Sequence, residues 1–226
     1  MCGRFSFSSS KAKIQAEFTK LELDDPLKIN FNVAPTQFSH VITDASPGAL
    51  QLMQWGLVPH WSRDGKNNGR LINARKEGIA SKPSFRIPLR KRRCLVLADS
   101  FYEWRKEGGQ KIPYRILRTD ESLVIMAGIW DVWTDGKRQL ASFSIITTPP
   151  NIEMAPIHNR MPVIFHEKEQ YQQWLEEDNL ERILDLLETP SDHILKMYSV
   201  STAVNSVKNN GAQLHKAVQA PPSLFD

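Results

Sequence analysis

CLVLADSFYEW (94–104), IPYRILR (112–118), SLVIMAGIWDVW (122–133) and LASFSIITT (140–148) decide the fold class. Each run is rich in β-branched and aromatic residues and too short to favour a helix. EGGQ (107–110) and TDGK (134–137) separate them with turn chemistry, so the middle of the chain predicts consecutive strands. Working outward, HVIT (40–43) and LQLMQWGLV (50–58) read as earlier strands, MPVIF (161–165) and ILKMYSVS (194–201) as later ones. RDGKNNGR (63–70) is a loop by composition.

Helices are few. SSSKAKIQAEFTKLEL (8–23) places Ile14, Phe18 and Leu21 on one helical face. EKEQYQQWLEE (167–177) and DNLERILDLLE (178–188) read as two short helices, the second opening with Asp178 and Glu181 at capping-box spacing. Strands outnumber helices without βαβ alternation, which predicts an α+β fold rather than a doubly wound sheet. We expect one β-rich domain over 1–226, its mixed and antiparallel sheets forming a barrel-like core. A tail from about residue 216 is expected to be disordered.

The 226 residues are 41% hydrophobic and 24% charged, with ordinary Gly and Pro contents, which excludes fibrous and low-complexity classes. No apolar run approaches the roughly 18 residues of a membrane span. The N-terminus lacks the apolar core of a secretory signal, and two cysteines make no disulfide framework, so a cytoplasmic monomer is the expectation. The histidines show no metal-ligand spacing and there is no CxxC, so neither metal nor cofactor is expected. Between Arg63 and Arg93, eleven cations face only Asp64 and Glu77, a net +9 that leaves −5 for the rest of the chain. Such a block suits a polyanion, or is simply a solvated basic surface.

Cys2 stands out by position. Loss of Met1 would leave a thiol and a free amine on neighbouring carbons, both partly deprotonated near neutrality. With an aldehyde the amine forms a Schiff base and the thiol closes a thiazolidine ring; the same pair also defines N-terminal-nucleophile hydrolases. A frayed end with an incidental thiol is the alternative. Cys94, opening an apolar run, reads as a core thiol. Glu103 sits among Phe101, Tyr102 and Trp104, where an apolar surround suits a carboxyl to acid–base work. Asp99, four residues earlier, is expected on the same strand face. His158, in the irregular PIHNRMP, reads as a site-loop residue. Trp55, Trp61 and Trp104 lie near the basic block, the mixture that single-stranded DNA binding uses.

MCGRF (1–5), NVAP (32–35), WGLVPHW (55–61), INAR (72–75), RCLVLADSFYEW (93–104), IHNRMP (157–162) and VNSVKN (204–209) together resemble the SRAP family, the SOS-response-associated peptidases. The blocks occur in family order across nearly the whole chain. The resemblance implies DNA repair chemistry: a mature N-terminal Cys2 that joins covalently to the ring-opened aldehyde of an abasic site in single-stranded DNA, giving a thiazolidine crosslink that shields the lesion. It implies proton transfer by Glu103, assistance to sugar-ring opening by His158, and a hydrogen bond from Asn73 near the nucleophile. Arg4, Arg75 and Arg160 would hold phosphates and Trp61 would lie along the bases. The implied activity is autopeptidase (hydrolase) removal of Met1 followed by lyase-type chemistry. A peptidase acting on other proteins, and a DNA-binding module without chemistry, stay open beside it. Two positions depart from the family pattern: Asn159 stands where Asp is usual, and Gly78 follows Glu77 where Thr is usual.

Overall fold

The computed structural model describes residues 2–23, 26–66, 69 and 71–218. Thirteen strands lie among them: β1 Phe5–Phe7, β2 Asn30–Val33, β3 Phe38–Thr43, β4 Ser46–Trp55, β5 Asn73–Arg75, β6 Arg93–Ala98 and β7 Ser100–Glu107. β8 Gln110–Arg118, β9 Val124–Thr134, β10 Gln139–Thr148, β11 Met161–Pro162, β12 Ile164–Phe165 and β13 Leu195–Ser199 follow. Four short helices accompany them: α1 Lys11–Glu17, α2 Arg86–Lys91, α3 Lys168–Glu176 and α4 Leu180–Asp185.

Strands β4, β3, β6, β9 and β10 pair in a closed ring. Neighbours are antiparallel except at the closure, where β10 runs parallel to β4 through Ser142↔Gln54 and Phe143↔Trp55. This is the expected barrel-like core of an α+β fold. Past the closure β10 continues, pairing β5 in parallel (Ile145↔Asn73, Thr147↔Arg75) and β11 in antiparallel. A second, fully antiparallel sheet has the order β13-β8-β7-β1-β2. Period-two alternation divides the side chains between two cores: on β6, Leu95 and Leu97 pack into one with the helices, while Cys94, Val96 and Ala98 pack into another with Phe5 and Phe101 of the second sheet. Gly128 serves the narrow ring, because a Cβ there would stand 2.8 Å from the Cys94 Sγ.

The expected elements shorten at identifiable points. The helix expected over 8–23 is confined to α1, capped by the Ser10 hydroxyl, because Glu22 bridges in parallel to Ala49 and pulls the chain into a strand contact. β4 stops at Trp55 because Gly56 turns the backbone at φ 110°. Asn179, rather than Asp178, caps α4, its carbonyl oxygen accepting from the N–H groups of Glu181 and Arg182. The tail expected to be loose begins in order: Ala217 bridges Val200 and the Val218 N–H donates to the Ser199 carbonyl. Beyond Val218 it lies outside the described residues.

Arg93 is 2% exposed and donates all five of its N–H groups to backbone carbonyls. Nε reaches Trp174, Nη1 reaches Leu89 and Arg90, and Nη2 reaches Leu175 and Glu177. These carbonyls close the C-terminal ends of α2 and α3, where a helix leaves acceptors unsatisfied and its dipole is negative. One buried guanidinium thus ends two helices. Arg93 is therefore structural, and it leaves the basic block expected to face a polyanion. Arg92 is also engaged, bonded at 2.6 Å to the buried Asp131.

Candidate active site

The two sheets meet at Cys2. It lies just before β1, which sits between β7 and β2, and the Tyr102 N–H donates to the Arg4 carbonyl, which brings the residues before β1 alongside Glu103. From the barrel side, Asn73 on β5 donates its side-chain N–H to the Cys2 carbonyl at 2.8 Å. Asn73 Oδ1 is buried and accepts no hydrogen bond from any described residue. Cys2 is fully buried. Burial first, and the Glu103 carboxylate second, push its thiol pKa well above the ordinary value.

Glu103 is itself buried, yet it lines a cleft of about 370 Å3 whose other walls are Trp104, Lys106, Lys111, His158 and Asn205. His158 sits in the turn after Met154, where its backbone N–H donates to the Met154 carbonyl. Its Nδ1 accepts the Arg160 backbone N–H at 3.0 Å. A ring nitrogen that accepts carries no hydrogen, so the neutral imidazole has its proton on Nε2. The backbone, not residue 159, therefore fixes this histidine. The Asn159 side chain makes no hydrogen bond among the described residues.

The expected site residues fall into two groups. Cys2, Asn73, Glu103 and His158 come together at this junction. Among the cations, Arg75 is exposed on β5, opposite Thr147 of β10. Arg160 is nearly buried: it grips Glu77 through two bonds (2.7 and 3.0 Å) and donates to the Thr147 carbonyl at 2.5 Å. That bond draws the Glu77 carboxyl below its usual pKa. Arg4 is half-buried, donates at 2.7 Å to both Asn32 Oδ1 and the Val204 carbonyl, and lies 6.0 Å from the Trp104 ring centre. Trp61 is 56% exposed, beside His60, whose Nδ1 is tied to Asp131 at 2.9 Å. Trp55 is buried core, and Trp104 binds Asn205 Oδ1 through Nε1. Asp99 does not share the Glu103 wall as expected; β7 starts one residue later, and Asp99 instead accepts from the Ser8 N–H and the Ser8 and Ser9 hydroxyls.

Sequence reasoning gave no role to Asn32, Lys106, Lys111 or Asn205. Asn32 directs its amide to the Val204, Ser206 and Asn209 carbonyls, pinning the segment that carries Asn205. Only the NVAP and VNSVKN blocks hinted at this, and neither reveals that they touch. Among the described residues no His, Cys, Asp and Glu cluster could hold a metal ion, and no helix is long and apolar enough to cross a membrane.

A closed five-stranded barrel flanked by a β-sheet, with a buried cysteine near the chain start bonded to an asparagine and close to a carboxylate that lines the histidine's cleft, defines the class of fold and site. Residues 1–207 match the family described as SOS response associated peptidase (SRAP), and the chain belongs to that family. It is 41% identical to the abasic site processing protein YoaM of Bacillus subtilis, over 95% of this chain and 97% of that one. It is 38% identical to YoqW of the same organism, also named an abasic site processing protein, over 95% and 98% respectively. A crystal structure of a protein from Bacteroides thetaiotaomicron superimposes with a TM-score of 0.86 at 30% identity, covering 96% of this chain and all of that one.

Proposed function

We propose that this chain processes abasic sites in single-stranded DNA by trapping their aldehyde covalently on Cys2. The observation that carries the reading is the convergence on one residue: Asn73 holds the Cys2 backbone, Glu103 crowds its thiol, and Glu103 and His158 share one cleft. The relatives named abasic site processing proteins supply the substrate class.

The chemistry begins with removal of Met1. The Cys2 thiol attacks the Met1 carbonyl, the peptide nitrogen leaves as the Cys2 amine, and water hydrolyses the thioester to release methionine. The abasic sugar then opens. His158 Nε2–H donates to the ring oxygen, and the C1′ hydroxyl proton is lost as the carbonyl forms. The freed amine adds to the aldehyde carbon with its proton passing to Glu103, and loss of water gives the Schiff base. The Cys2 sulfur adds to the same carbon while its proton ends on nitrogen, closing the thiazolidine. One water is lost overall. Asn73 fixes the backbone from which both nucleophiles project. Arg75 offers an exposed phosphate contact, Trp61 an exposed ring for a base, and Arg160 a guanidinium that a phosphate would share with Glu77.

The test is intact mass after incubation with a single-stranded oligonucleotide carrying one abasic site. A shift equal to the oligonucleotide minus one water, lost in Cys2→Ala, is expected. Absence of that shift from folded protein lacking Met1 would refute the reading.

A further inference from the structure

We infer that Lys106 and Lys111 form a second site for the DNA backbone, a phosphodiester grip on the β7–β8 hairpin separate from the expected arginines. The inference rests on the single-stranded DNA reading above and deepens it.

The two lysines are direct cross-strand partners, two positions beyond the Trp104↔Pro113 pair. Like charges placed directly opposite on a sheet oppose its pairing, and side chains there stand about 5 Å apart at Cβ. A hairpin selected for stability alone would carry an acid at one of the two positions. Instead neither lysine has an ion pair among the described residues, and both are exposed. The neighbouring Glu107 is opposite Gln110 and is not among the residues that line the cleft. The pair also lines the very cleft that holds Glu103 and His158, with Asn205 beside it. Two unpaired ammonium groups at the mouth of a cleft leading to a carboxylate call for an anion that arrives with the substrate. A phosphodiester next to the lesion meets that need.

Arg75 and Arg160 lie on the barrel side, Arg75 on β5 opposite Thr147 of β10 and Arg160 bonded to the Thr147 carbonyl. The hairpin stands on the second sheet. A strand whose lesion lies in the cleft would thus be held on one flank by the barrel and on the other by the hairpin.

The test measures equilibrium binding of an undamaged single-stranded oligonucleotide by fluorescence anisotropy between 50 and 200 mM NaCl. Each phosphate neutralised on a single strand contributes about 0.7 to the slope of log affinity against log salt. Lys106→Ala with Lys111→Ala should lower that slope by about 1.4, so wild type loses about sevenfold more affinity than the variant over this fourfold salt change. Lys106→Arg with Lys111→Arg should keep the wild-type slope, which a merely structural role for the hairpin does not predict. A slope lowered by at least about 0.7, one phosphate's worth, sustains the site; an unchanged slope in the double alanine variant overturns it. The crosslinking assay is independent: a lowered slope beside a wild type that never crosslinks removes the covalent reading and leaves the phosphate grip standing.

Discussion

Replacing Arg93 with Lys tests whether geometry or charge closes α2 and α3. The guanidinium presents five N–H groups and all five meet carbonyls, those of Trp174, Leu89, Arg90, Leu175 and Glu177. An ammonium offers three donors from a single atom, so at least two of these carbonyls lose their partner while the positive charge is kept. An unsatisfied buried acceptor costs about 1–3 kcal/mol, and the low end, about 1–1.5 kcal/mol each, suits helix ends that water can partly reach, giving about 2–3 kcal/mol for the two. For a chain of this size 1 kcal/mol shifts Tm by about 2–4 °C, so a fall of about 5–10 °C is expected. Thermal unfolding followed by circular dichroism reads it, and Arg93→Met should fall further because it loses every donor. If Arg93→Lys melts within 1 °C of wild type, charge at the helix ends suffices and the argument from five donors is wrong.

Burial raises the pKa of Cys2, Cys94 and Tyr102, so the fold holds their protons more tightly than the unfolded chain does. Stability is then fully present below about pH 8.5 and lost as pH rises past about 9 for the two thiols and past about 10 for the phenol, at about 1.4 kcal/mol per pH unit for each group; Tm should drop between pH 9 and 10.5, less so in Cys94→Ala, and a flat profile would contradict it. Glu77→Gln removes the anion that occupies Arg160, so affinity for undamaged single-stranded DNA should rise about threefold to tenfold, from the roughly 1 kcal/mol such a pair is worth; lower affinity would show that Glu77 positions Arg160 for the strand. Asn32→Ala should cost about 3 kcal/mol in urea unfolding, since three backbone carbonyls and Arg4 lose a partner together, and a cost under 1 kcal/mol would mean that residues 204–209 are held otherwise. Asn159→Asp should change the crosslinking rate less than twofold; a tenfold gain would return the orienting role to that side chain.

The strands of the barrel were legible because alternation and β-branched runs are local properties. CLVLADSFYEW, read as one run, nevertheless hid the break between β6 and β7 at Asp99. Closure was not legible: the parallel join of β10 to β4 links residues some ninety positions apart, and no local pattern encodes which edges meet. The proposed chemical residues were picked out through residue type and family blocks, since the reactivity proposed for Cys2 is a property of its type and position in the chain. The cations were harder. Arg93 and Arg75 look alike in a string of charge, and only packing tells that the first ends two helices while the second faces water. Lys106 and Lys111 were hidden because a net-charge count sees the hairpin as mixed, whereas strand pairing sets its two lysines face to face.

The bond from Asn73 to the Cys2 carbonyl joins the start of the chain to a strand about seventy residues later, and the cleft is completed by a histidine later still. The first residues to leave the ribosome are therefore among the last to be placed. At about 5–20 residues per second, synthesis through His158 takes roughly 8–30 s, during which the cysteine stands in water with an ordinary thiol. Folding then withdraws it and raises its pKa. Folding is thus a narrowing of reactivity: a thiol open on the nascent chain to any passing electrophile becomes one that the two sheets enclose.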